Sequence, residues 1–168
     1  MDKTMNLQIK DGQFVILEMK PPCRRQIIAV NKIMADWNFD YYDYLQSQVK
    51  VFNKMKSLGL NDDSDFSDGN EKALEFTSST EFVAFKKLQD IFNSSEMTLE
   101  IVKHIWVEKG GRYSETLNKY GERISDYYGE DPDADVEGDL QSFFGLTQTA
   151  TRARKKVKGA KNTTPDKE

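Results

Sequence analysis

The chain has 168 residues, 38% of them hydrophobic and 31% charged, so it is long enough for one domain with flanking chain and more polar than an average globular protein. It has no run of about 18 apolar residues, which a membrane helix requires, and residues 1–4 are not followed by the apolar segment of a secretory signal. One cysteine excludes an internal disulfide and fits a reducing, cytoplasmic location, and one histidine excludes most histidine-based zinc sites.

The net charge of −4 conceals three charged segments. Residues 61–71 carry a charge of −5 and residues 126–139 a charge of −7, whereas residues 147–168 carry +5. Acidic runs bury little apolar surface, so we expect the first two segments to be solvated. The basic segment is free either to fold back on the acidic ones or to reach a polyanion.

The N-terminal residues predict a β-hairpin. Apolar and polar residues alternate before an Asp-Gly pair at 11–12, and a second strand-like run follows. Asp-Gly in this position is typical of a two-residue turn in which both residues have positive φ. Such a turn gives two cross-strand pairs on one face, Ile9 with Phe14 and Leu7 with Ile16. An isolated hairpin is only marginally stable in water, so this apolar face must be covered by a helix or by another chain.

Five helices are predicted after the hairpin, because apolar residues recur at helical spacing. They are Arg25–Trp37, Asp40–Leu58, a helix opened by Ser78 and Glu81 as a capping box and continuing to Phe92, a helix through Leu99 and Trp106 that ends before Gly110, and a helix from Tyr113 that ends at Gly129. The acidic stretch 61–71 is predicted to be a loop.

We therefore expect a mainly α fold, a compact bundle of about five helices with an N-terminal β-hairpin and a disordered, charged C-terminal tail. The predicted domain covers residues 1–129. Residues 130–168 are predicted to form an acidic linker, a short apolar island and a basic disordered tail.

The apolar island lies between the acidic linker and the basic tail. Its predicted partner-binding residues are Leu140, Phe143, Phe144 and Leu146. Such an island is able to pack on its own domain or to act as a short motif that folds on a partner protein, and the sequence leaves both open.

The tail has six cations between residues 152 and 161. The predicted polyanion contacts are Arg152, Arg154, Lys155, Lys156 and Lys158. Each cation can neutralise one phosphate, which gives weak, salt-dependent binding of nucleic acid. A tail that is merely solvated is the other interpretation.

No pattern in the sequence indicates catalysis. Cys23 has no histidine close in sequence, His104 is expected to be an ordinary surface or boundary residue, and residues 64–75 match a calcium loop poorly because Phe66 occupies a ligand position. A nucleophile–base pair, a metal set and a phosphate loop are all missing, so we predict a non-enzymatic protein without metal or cofactor.

The run from Val15 to Gln26, a strand that leads through Pro21 and Pro22 into a helix, resembles bacteriophage tail assembly chaperones. The resemblance covers residues 5–128 in the order of elements and 15–34 in sequence. It implies a protein that binds the tape-measure protein in the host cytoplasm, helps tail-tube subunits polymerise around it, and continues into a longer frameshifted form. The alternative function is a nucleic-acid-associated accessory protein tethered by its basic tail.

Overall fold

The computed structural model describes residues 3–61 and 70–148 and, within these ranges, forms seven helices and one three-stranded antiparallel sheet. The strands are β1 (Lys3–Lys10), β2 (Gln13–Met19) and β3 (Val107–Glu108). The helices are α1 (Arg24–Asp36), α2 (Tyr41–Ser57), α3 (Glu71–Thr77), α4 (Thr80–Phe92), α5 (Ser95–Val102), α6 (Tyr113–Glu130) and α7 (136–148). The prediction of a mainly α fold with N-terminal β structure is confirmed, but the helices exceed the expected five. The predicted disordered tail lies outside the described residues.

The chain divides into two compact units. The first contains the described residues up to Ile33 and from Thr98 onward, and the second contains the described residues between Met34 and Met97. Helix α7 belongs to the first unit, together with the sheet and α6. The predicted boundary at residue 129 means that residues 1–129 fold without the rest of the chain, and this stays a prediction.

The turn of the hairpin differs from the predicted one. Gly12 has a φ of 72°, but Asp11 does not share this conformation, since the positive-φ residue other than glycine in the described ranges is Asn38. The strand register then shifts by one residue between Gln8 and Lys10, as it does at a β-bulge.

This shift exchanges the two faces of β2. Leu7 lies opposite Val15 rather than Ile16, so the predicted pairing is wrong. Side chains alternate between faces along a strand, and a one-residue slip therefore inverts the whole pattern. Val15 and Leu17 are buried, whereas Phe14 is 62% exposed and Ile16 is 44% exposed.

The predicted helix through Leu99 and Trp106 forms only in its first part. Helix α5 ends at Val102, and after a turn the chain adds β3 to the sheet, with Val107 opposite Glu18 of β2. The buried hydroxyl of Thr116 fixes the end of this strand, because its oxygen accepts the Glu108 N–H at 2.9 Å. The run from Ile101 to Trp106 is apolar enough for a buried helix or strand, so periodicity could not separate them.

Short polar residues set the helix starts in the second unit. The side chain of Asn70 accepts the N–H groups of Lys72 and Ala73 and opens α3, which was not predicted. The N-cap of α4 is Ser79, whose hydroxyl accepts the Phe82 N–H at 3.3 Å, and not Ser78. Each cap satisfies backbone donors that the first helical turn leaves unpaired.

Aromatic rings form the core of the second unit, where α2 packs against α4. The ring of Tyr44 on α2 stacks on Phe92 at 4.9 Å and on Phe85 at 5.9 Å between centroids. Phe39 stacks on the same Phe92 ring at 5.7 Å. Stacked aromatic pairs contribute about 0.5–1.5 kcal/mol beyond the area that they bury.

A chain of polar side chains crosses the core of the first unit. Trp106 Nε1 donates to the hydroxyl of Tyr128 at 2.9 Å, and this hydroxyl donates to Asp139 Oδ2 at 2.5 Å. Lys3 Nζ donates to the other carboxylate oxygen of Asp139. Burial, and then the hydrogen bond to Asp139, raises the pKa of Tyr128, so its hydroxyl stays a donor at neutral pH. This row of hydrogen-bonded side chains joins α7 to α6 and β1.

We expect Tyr128→Phe to lower the free energy of unfolding by about 1–3 kcal/mol, because the change leaves two buried polar groups without their shared partner. The matched control is Tyr127→Phe, one residue earlier on α6 with a partly exposed ring. Urea unfolding monitored by circular dichroism measures both variants. Equal losses in the two variants would contradict the role assigned to the Tyr128 hydroxyl.

Candidate functional site

The apolar island forms part of α7, and most of it is buried. Leu140, Phe143 and Phe144 are buried inside the structure, and Leu146 is partly exposed. A partner protein therefore reaches the three buried side chains only if α7 detaches from its own unit. Partner binding by these four residues stays a prediction, and the exposed surface is the better place to look for a site.

We expect Phe143→Ala to lower the free energy of unfolding by about 3–5 kcal/mol, the usual cost of truncating a buried phenylalanine. The control is Gln141→Ala on the same helix, since Gln141 is exposed. Thermal unfolding of the full chain measures both. If Phe143→Ala keeps the wild-type midpoint, then α7 is not docked and the island is available to a partner.

The predicted polyanion contacts fall outside the described residues. They are Arg152, Arg154, Lys155, Lys156 and Lys158. Half of the weak calcium-loop match at 64–75, residues 64–69, also falls outside. In the part of the chain that the structure does describe, no group of three or more metal-ligating side chains is close enough to hold a metal ion.

The outer face of the sheet carries the first exposed apolar site, which we call the sheet patch and define as Phe14 and Ile16 of β2. Their partners on β1 are Gln8 and Asn6, which carry side-chain amides. The backbone of Lys109 donates to the Ile16 carbonyl at 2.9 Å and so continues the sheet on the other side of the patch. Two adjacent apolar side chains with hydrogen-bonding groups beside them are suited to contact another protein.

Charged side chains also lie near the sheet patch. Glu18 lies on the same face, and its carboxylate is held by Lys20 at 2.7 Å. The sequence did not predict the patch, because a two-residue turn without a bulge was assumed and this gave the wrong strand register. The signal that could have found it is the run Phe14–Leu17, in which apolar residues occupy both faces of one strand.

Helix α2 carries the second exposed apolar site, which we call the α2 seam and define as Tyr42, Leu45, Val49 and Phe52. Tyr42 is 62%, Val49 59% and Phe52 50% exposed, and Leu45 between them is partly exposed. The ammonium group of Lys56 lies 4.7 Å from the centroid of the Phe52 ring. The seam is distinct from the buried side of α2 that holds Tyr44.

The chain's cysteine and histidine belong to one polar cluster of the first unit. The buried amide of Gln26 accepts the Cys23 N–H at 3.0 Å and donates to the His104 carbonyl at 2.9 Å. His104 Nδ1 lies 2.5 Å from the hydroxyl of Tyr113. Burial, followed by the charge of Lys103, lowers the pKa of His104, so the imidazole is neutral at pH 7. The hydrogen bond from the Cys23 N–H to the Gln26 side chain fixes the start of α1, as a capping-box glutamine does.

Comparison with known proteins adds no family to these observations. No protein-family model, curated protein or solved structure matches the chain. Among the described residues, the helices are too short or too polar for any of them to cross a bilayer. The two exposed apolar sites are therefore the basis for a proposed function.

Proposed function

We propose that the protein is a non-enzymatic adaptor that binds another protein, and that it serves as a bacteriophage tail assembly chaperone in the host cytoplasm. Its partners would be the tape-measure and tail-tube proteins. The sheet patch is the observation that supports an adaptor, because Phe14 and Ile16 are held side by side at the surface of a sheet. The resemblance of the run from Val15 to Gln26 to tail assembly chaperones supports the phage assignment.

The energetics of the sheet patch favour a protein ligand. Full burial of an exposed Phe or Ile side chain contributes about 1.5–3 kcal/mol, and Phe14 and Ile16, which are 62% and 44% exposed, would each contribute a part of this. The amides of Asn6 and Gln8 border the patch and are able to donate to, or accept from, the main chain of a bound segment. The patch therefore offers a client an apolar contact from Phe14 and Ile16 and hydrogen bonds from the two amides.

We expect the double variant Phe14→Ser, Ile16→Ser to weaken binding of the tape-measure protein from the same phage by at least about tenfold, since that loss corresponds to only about 1.4 kcal/mol. Both residues are exposed, so the thermal midpoint should stay near that of wild type. Affinity is measured by titration calorimetry or, for an insoluble client, by co-purification.

The matched control is Ile28→Ser on α1, an apolar residue of the same unit that is 56% exposed but lies off the sheet. Loss of binding in the double variant alone supports the sheet patch as the client site. Wild-type protein that fails to bind tape-measure and tail-tube proteins would contradict the chaperone function. If the double variant still binds the client, the client site lies elsewhere on the protein.

The alternative function, a nucleic-acid-associated accessory protein, is favoured by the six cations between residues 152 and 161. We expect the full chain to bind a random DNA duplex weakly at low salt, with a log–log salt slope of about −0.9 per phosphate contacted. Truncation after Gln148 should abolish this binding, while the sheet-patch variant keeps it. Fluorescence anisotropy over a salt series measures both. Sequence-selective binding that survives physiological salt would favour the nucleic-acid function over the adaptor.

A further inference from the structure

We draw no further inference here: the strongest candidate, the exposed α2 seam of Tyr42, Leu45, Val49 and Phe52, has a spacing that fits any apolar helix, and nothing in the structure shows what covers it.

Discussion

The one-residue shift between Gln8 and Lys10 decides which side chains the first unit buries. Without it, Ile16 would lie opposite Leu7 on the inner face, and Val15 and Leu17 would point to solvent. With it, Val15, Leu17 and Met19 enter the core, and Phe14, Ile16 and Glu18 lie on the outer face. The register therefore buries three apolar side chains and keeps a carboxylate out of the core, but it leaves Phe14 and Ile16 at the surface. The candidate client site therefore follows directly from a backbone irregularity.

The polar chain from Trp106 to Lys3 has a different character from a catalytic site. Tyr128 and Asp139 are buried, and their donors and acceptors are used by one another, by the indole of Trp106 and by the ammonium of Lys3. A buried polar group that loses its partner is expensive, so a fully connected chain specifies one arrangement of the elements that it joins. Its consequence is structural, because it fixes α7 and thereby withdraws the apolar island from solvent.

Much of the fold could be predicted, since helix α6 with its period of aromatic residues and the two strands around Asp11 and Gly12 carry strong local signals. The bulge could not, because Asp-Gly is compatible with turns of different geometry and only the tertiary core selects among them. Helix α3 has seven residues and little periodicity, so its cap at Asn70 was its main signal.

The candidate sites were harder to predict than the elements that carry them. Spacing along α2 identified apolar residues but could not say which line of them meets α4, because the helix is apolar on two sides. Tyr44 supplies the buried contact, whereas Phe52 on the same helix is exposed. The sequence of the apolar island around Leu140 is equally compatible with packing in the core and with binding to a partner protein. Local sequence does not show which surface would bury these side chains.

The two exposed apolar sites differ in shape. Phe14 and Ile16 are neighbours on the outer face of β2, the central strand, which already pairs with β1 and with the chain at Lys109, so a ligand packs on this face and adds no strand. The α2 seam instead runs along one helix, with side chains spaced three or four residues apart. A short patch on a sheet and a stripe along a helix complement differently shaped ligand surfaces. Two apolar surfaces on one small chain can therefore coexist without competing for the same partner.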